Sequence, residues 1–317
     1  MNALTPTTVV FILSGYFLML IGVSFLTTRN VEESSFYTGD KSSPWYVVSF
    51  GMIGASLSGI TFLVIPGKVA TESFSYLQMV FGYMIGYIIV AFVLLPIYYK
   101  SNVVSIYEII GGRFGAVAQM TSSGFFLLSR TVGASLRLYV VALVLDQCIF
   151  SHYDIPFYVS VLVTIFLIWT YTFKGGIKTV VWTDVIQTIF MLSAIIVAIV
   201  VVGNILTDQS GVSFFTLVGD TEYDQVFFKS GSLSFSSMFF TGIFITLTMT
   251  GLDQDMMQKN LTVGTLKNAQ KNMLWLSLSL LMINFLILFL GALLTIYADS
   301  INVDLTNWKT ELRFSQL

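Results

Sequence analysis

The sequence predicts an all-α, polytopic membrane protein of about eight transmembrane helices. Three observations carry this. Hydrophobic residues make up 56% of the 317 and charged residues 10%, against about 25% charged in soluble domains. Eight segments approach the roughly 20 apolar residues that a spanning helix needs: about 7–27, 45–71, 75–99, 117–149, 154–173, 179–204, 234–256 and 272–297. No low-complexity tract or soluble domain interrupts them. The same composition narrows function. The net charge is −2 and no basic tract offers itself to nucleic acid. One cysteine, Cys148, excludes an intrachain disulfide, and one histidine, His152 beside Tyr153 and Asp154, makes no metal-ligand cluster. No nucleophile–base pair or phosphate loop points to an enzyme.

The first segment lacks the positive leader of a signal peptide and reads as a retained span. The second contains Gly51-Met-Ile-Gly-Ala-Ser-Leu-Ser-Gly-Ile-Thr-Phe-Leu-Val-Ile-Pro-Gly67. Glycine costs about 1 kcal/mol in a helix interior relative to alanine. A carbonyl freed in lipid has no water to bond. Two readings stand: close helix packing through small residues, or a broken helix whose carbonyls and hydroxyls, Ser56, Ser58 and Thr61 among them, hold a cation or solute.

Lysine and arginine in the connections set orientation. Arg29, Lys41, Lys100, Arg113, Lys174, Lys178, Lys259, Lys267 and Lys271 fall on one side, and Lys68, Lys229, Lys309 and Arg313 on the other. The first side is cytoplasmic. The expectation is a multi-pass protein of the cell's inner (plasma) membrane with its N-terminus outside. The acidic loop with Asp208, Asp220, Glu222 and Asp224 then also lies outside.

The fourth span is long, about 50 Å at 1.5 Å per residue, and carries Arg130 and Arg137 on nearly one face. Facing lipid at the bilayer centre, each costs several kcal/mol, so they are expected to face the bundle interior or an aqueous cavity. They either pair with acidic groups or helix-terminal carbonyls, or approach an anionic solute, or snorkel outward. The sixth span places Asp184 and Gln187 one turn apart. An intramembrane carboxylate either guides a cation or forms an ion pair with Lys178 or a neighbouring helix. The seventh gathers Thr246, Thr248, Thr250 and Gly251 in mid-membrane and is the second candidate broken helix. Two glycine-interrupted segments in separate halves are the sequence pointer to a transporter's midplane site. Their separation, from span two to span seven, is what a five-plus-five inverted repeat requires.

Three motifs resemble the sodium:solute symporter family, which includes sodium-coupled transporters of sugars, proline and sialic acid. They are Tyr37-Thr-Gly-Asp-Lys-Ser-Ser-Pro-Trp45 with the Gly-Ala-Ser-Leu-Ser-Gly-Ile-Thr-Phe run that follows; Gly175-Gly-Ile with Val-Trp-Thr-Asp-Val-Ile-Gln187; and Gly251-Leu-Asp-Gln-Asp-Met-Met-Gln-Lys-Asn260 with Lys267-Asn-Ala-Gln-Lys271. The resemblance implies a single membrane domain over 1–317, with an extra N-terminal helix (7–27), a first five-helix repeat (45–204) and the start of an incomplete second repeat (234–297). It also implies a chain shorter than the family's full fold, a fragment of a longer protein or one too short to transport.

By the same resemblance, sodium is the coupling ion and no other cofactor is needed. The carbonyls of Gly54 and Leu57 would bind it, and Asp184 would lie on its exit path. Ser58 and Thr61 match substrate-contacting positions, with Ser56, Thr246, Met249 and Thr250 on the two interrupted segments. Met249 stands where galactose-type members place a sugar-stacking tyrosine, which weakens a neutral-hexose assignment. Arg130 and Arg137 flank Gly133, the position of a carboxylate-binding arginine in sialate-type members. Gln78 is near the solute-lining region but out of phase, and Lys41 matches a basic residue linked to coupling. The implied function is sodium symport of a small organic solute, carboxylate-bearing such as an acidic sugar, within the lipid bilayer. The alternative is a membrane sensor module of a signalling protein on the same fold.

Overall fold

The computed structural model describes residues 5–28, 41–57, 59–101, 103, 105–172, 176–219, 221–228, 231 and 233–301. Every regular element among them is helical. In chain order these are α1 (Pro6–Thr28), α2 (Trp45–Ser56), α3 (Gly59–Glu72), α4 (Tyr76–Ile89), α5 (Leu95–Ser101), α6 (Tyr107–Phe114), α7 (Ala116–Cys148), α8 (Phe157–Thr172), α9 (Gly176–Ser210), α10 (Phe214–Gly219), α11 (Phe235–Thr246), α12 (Gln254–Leu261) and α13 (Leu266–Ser300). Two π-helical turns join the set. Val90–Leu94 links α4 to α5, and Leu247–Gly251 extends α11.

The expected count of eight spans is corrected. Among the described residues five helical stretches are long and apolar enough to cross a membrane, or six if the bent pair Phe235–Gly251 and Gln254–Leu261 counts as one. The reasons are local. The second expected span is divided between α2 and α3, and the fifth is a helix of 16 residues, Phe157–Thr172. Pro66 lies inside α3.

The chain forms two compact units. One comprises Met1–Gly51, Pro96–Val185 and Asp253–Ala269. Within it the Ser24 hydroxyl donates to the Tyr171 carbonyl at 2.6 Å, tying α1 to α8. Helix α7 leans on α8 through Ser160 Oγ donating to Asp146 at 2.9 Å and an edge contact between Tyr139 and Phe157. Its length, 33 residues, matches the expected span. Its apolar side chains Phe125, Leu127, Leu128, Val132 and Leu136 are exposed, as lipid-facing residues are.

The other unit comprises Met52–Leu95, Ile186–Leu252 and Gln270–Leu317. Helix α13 is its buried axis: Met273, Leu276, Ile287, Leu288 and Leu293 are all fully buried. Helix α3 crosses α13 where Gly291 has no side chain; a Cβ there would come within 2.7 Å of the Pro66 carbonyl oxygen. Helices α4 and α11 approach most closely through Gly82, Gly86 and Gly242. A Cβ on Gly82 would strike the Phe239 carbonyl oxygen, one on Gly242 the Met79 carbonyl oxygen, and one on Gly86 would meet Thr246 Cβ at 2.6 Å. Each helix thus presents small residues four apart, the spacing that lets helix backbones touch in lipid.

The first π turn explains a long-range contact. Leu95 N–H bonds the Val90 carbonyl, five residues back. The next donor in that register would be residue 96, a proline without an N–H. The orphaned Ala91 carbonyl instead accepts the Gln270 amide at 3.1 Å.

The packing sets a clear expectation. In Gly82→Ala the new methyl meets backbone that cannot swing aside, so the folded state should lose about 1–3 kcal/mol, the usual cost of overpacking. In Gly15→Ala, where nothing lies within 4 Å of the added carbon, stability should hold or rise slightly. Thermal unfolding in detergent compares the two.

Candidate functional site

Both expected helix interruptions are present, with different geometry. The first falls between the end of α2 at Ser56 and the start of α3 at Gly59; Ser58 lies outside the described residues. Leu57 is buried, and its N–H still bonds the Ile53 carbonyl at 2.9 Å, so α2 runs up to the break. One turn back, the Gly54 N–H donates to Thr188 Oγ1 at 3.1 Å. Thr188 is fully buried on α9. The second interruption follows Gly251, where the π turn closes with Leu252 N–H on the Leu247 carbonyl at 3.0 Å. Helix α12 then leaves at 65° to the preceding segment.

Between these interruptions, within one unit, lies a hydroxyl cluster. Tyr87 on α4 is buried, with the side chains of Thr250 and Ser56 beside its phenol. Ser56 Oγ is buried and makes no hydrogen bond with the described residues. Thr250 and Thr246 are both buried, Thr246 against Gly86. The cluster therefore brings together Ser56 from the first broken segment and Thr250 from the second. Met249 is exposed, pointing away from these buried hydroxyls. Thr61 is half-buried on α3.

The second centre is ionic and belongs to the other unit. Asp253 caps α12, its carboxylate accepting the Met256 N–H at 3.1 Å, and it pairs with Arg130. The Arg130 guanidinium also stands 5.7 Å from the Phe126 ring centroid, within cation–π range. Gln254 Oε1 accepts the Ile106 N–H at 2.9 Å. Lys259 Nζ reaches Asp184 at 2.8 Å, with side chains only 5% and 14% exposed, and Asp255 at 3.8 Å. Tyr99 donates from its hydroxyl to the carbonyls of Asn260 and Val263 at 3.0 and 2.6 Å. Beside this centre, burial pushes the Tyr107 phenol above its ordinary value. The Asp253 carboxylate acts the same way and Arg130 opposes it.

These contacts decide among the readings left open by the sequence. Arg130 is held by a carboxylate. Asp184 pairs with a lysine, on the neighbouring helix α12. Arg137 departs from the expectation that it faces the bundle interior: it is exposed on α7 and makes no ion pair with the described residues. Gln78 is fully buried and serves the loop before α11. Its amide donates to the Ser75 and Leu233 carbonyls at 3.3 and 3.0 Å, and Phe228 N–H donates back to Oε1 at 3.4 Å. Lys41 has an exposed side chain and a left-handed backbone, φ 49°. Its carbonyl oxygen would lie 2.7 Å from a Cβ on Gly264.

Three residues escaped the sequence reading: Tyr87, Thr188 and Lys259. For Lys259 the charge assignment to the membrane surface hid a buried role. Thr188 follows Asp184 by four residues, one more than Gln187. Tyr87 had an available signal, since Tyr76, Tyr83 and Tyr87 share one face of α4.

The chain is similar to known proteins in sequence and fold. The sodium:solute symporter family model matches residues 36–308. The sodium/sialic acid symporter NanT of Aliivibrio fischeri is 31% identical over 190 residues, covering 59% of this chain and 36% of that protein. The sodium/glucose cotransporter of Vibrio parahaemolyticus is 24% identical over 303 residues, covering 87% of this chain and 53% of that one. A solved structure of a Na+-coupled sialic acid symporter, substrate-bound and outward-open, superposes with a TM-score of 0.77 at 19% identity. It covers 95% of this chain and 63% of its own, and shows that the fold is shared. The chain thus spans between about a third and about a half of the length of these curated relatives.

The ionic centre yields a stability test. Lys259→Met strips the buried Asp184 carboxylate of its ammonium and should cost about 3–5 kcal/mol. Adding Asp184→Asn should recover much of that loss, because no charge is then left without its partner. Asp255→Asn, at a half-exposed and longer contact, should cost under about 1 kcal/mol. Thermal unfolding of the four proteins checks the order.

Proposed function

The chain belongs to the sodium:solute symporter family, and on that premise we propose that it forms part of a sodium-coupled symporter for a small organic solute. The family is one of transporters rather than enzymes. The observation that supports the reading best is that two apolar helical segments are interrupted, one at Leu57 and one after Gly251, where the next helix leaves at 65°. Lipid forbids such breaks unless their polar groups find partners, and transporters place ions and solutes at such breaks.

In this proposal the Gly54 and Leu57 carbonyls supply two of the about six oxygens that a hard cation takes. Ser56, Ser58, Thr61, Thr246 and Thr250 face the solute, with Met249 and Gln78 at the margin, and Lys41 contributes to coupling. Sodium binding favours an outward-open state, and inward rocking then releases both cargoes. Asp184 serves the exit path when Lys259 lets it go; Asp255, 3.8 Å from the ammonium, offers the lysine a second carboxylate.

The solute is carboxylate-bearing, such as an acidic sugar. In this proposal Arg137, which makes no ion pair with the described residues, meets the carboxylate. Arg130 is a weaker candidate because Asp253 already neutralises it. The proposal includes the layout of a partial five-plus-five repeat: an extra helix over 7–27, a first repeat over 45–204 and the beginning of a second over 234–297, in one membrane domain. It also includes the split α2–α3 acting as one discontinuous crossing, a plasma (inner) membrane location and an outside N-terminus.

Uptake by the natural full-length protein in proteoliposomes tests this. Imposing a sodium gradient should drive accumulation of an acidic sugar, with sialic acid as the probe. Accumulation indifferent to sodium would sink the symport reading. Asp184→Asn should slow uptake with little change in the solute's half-saturating concentration; unchanged rates at every sodium concentration would remove it from the path. Arg137→Ala should abolish transport of the acidic solute, and normal transport would end the anionic assignment.

A further inference from the structure

Two junctions beside the interrupted crossings touch each other within one compact unit. One is Lys41-Ser42-Ser43, just ahead of α2; the other is Thr262-Val263-Gly264, just after α12. Ser43 N–H donates to the Thr262 carbonyl at 3.2 Å. Gly264 lies against the Lys41 carbonyl oxygen, which a Cβ there would meet at 2.7 Å. Backbone meets backbone at both points, so neither contact depends on a side chain that can swing aside.

Lys41 holds a left-handed conformation, φ 49°, at this docking point. A residue with a Cβ is strained there and stays only where its surroundings over-determine it. Here the surroundings are the Ser43 bond and the Gly264 contact. The α12 side is fixed as well. The Tyr99 hydroxyl donates to the Asn260 and Val263 carbonyls at 3.0 and 2.6 Å. Thr262 is fully buried and donates from Oγ1 to the Lys259 carbonyl at 2.7 Å.

A second tie runs through α9. Gly51 on α2 has no side chain where α9 passes; a Cβ would come within 3.0 Å of the Val181 carbonyl oxygen and 3.3 Å of Asp184 Cβ. Asp184 in turn holds Lys259 of α12 at 2.8 Å. When Lys259 releases Asp184, as the exit path requires, the contact at Gly264 is the tie that remains.

We propose that Gly264 is a positioning residue: by admitting the Lys41 carbonyl it docks the start of α2 onto the end of α12, so that the two half-helices turn as one piece. Helix α2 ends at the first interruption and α12 begins at the second. A motion that frees sodium at the first must then also move the arm of the second, and cation and solute travel together. Lys41 serves through its backbone conformation, not its ammonium. The inference rests on the symport reading given above, and its experiment separates the two.

Fluxes of labelled sodium and labelled sialic acid are measured on the same proteoliposomes of the full-length protein. Variants that fold, as their thermal unfolding in detergent shows, are compared by the sialic acid carried per sodium. Gly264→Ala sets a methyl on the Lys41 carbonyl and parts the two junctions, so sodium passes with less solute and the ratio should fall. Lys41→Val and Lys41→Asn both remove the ammonium, but asparagine tolerates the left-handed region and a β-branched valine does not. Lys41→Val should therefore lose more of the ratio than Lys41→Asn.

A folded Gly264→Ala protein with its ratio intact overturns the proposal. Equal ratios in Lys41→Val and Lys41→Asn overturn it too, because the backbone conformation would then be irrelevant; this comparison decides alone if Gly264→Ala does not fold. If the unaltered protein carries no sialic acid with sodium, the symport reading falls, and this inference with it.

Discussion

A backbone interrupted at membrane depth must find partners for its freed amides and carbonyls, because lipid supplies none. Much of this molecule follows from how that demand is met. At the second interruption Asp253 supplies a carboxylate to the first turn of α12, and the same carboxylate recruits Arg130 from α7. At the π turn after α4, Gln270 donates to a carbonyl that Pro96 cannot serve. Gln270 and Arg130 come from distant segments, so these two irregularities in the backbone also become tertiary bonds. Helix breaks and the fold that tolerates them are thus one design.

The buried charges obey the same logic. Desolvating an ammonium and a carboxylate costs several kcal/mol each, and their attraction offsets that only in good geometry. Lys259 and Asp184 meet that condition at 2.8 Å. Asp255, one helical turn before Lys259, adds a more distant carboxylate in the favourable acid-before-base order. The pair is therefore weak evidence for stability and better evidence for a register: it fixes α12 against the start of α9. A carboxylate so engaged can take part in cation movement only through the release of its lysine.

The close approach of α4 to α11 is the structural condition for the hydroxyl cluster. Leucines at positions 82 and 242 would hold the helices apart and carry Tyr87 away from Thr250. Gly82, Gly86, Gly242 and Gly291 serve contact. The first interruption comes after Ser56, where the chain leaves α2.

Hydropathy by itself determined the all-helical membrane class and the long crossings, because twenty apolar residues have few other fates in a bilayer. Local chemistry marked both interruptions, since glycines and hydroxyls in an apolar run are costly wherever they point. It could also mark Asp184 and Arg130 as needing partners, because their desolvation is independent of the neighbours. Which partner each takes was decided only by tertiary structure. Lys259 was indistinguishable from a surface lysine until folding set its ammonium 2.8 Å from Asp184. The hydrogen bonds that tie Gln78 to Leu233 and Phe228 were set only in the folded chain. Tyr87 was one of 15 tyrosines, set apart only when glycine contacts brought α11 near enough for Thr250 to reach it. Sequence records the chemical need of each residue; the distance between residues far apart in the chain depends on packing that no local pattern encodes.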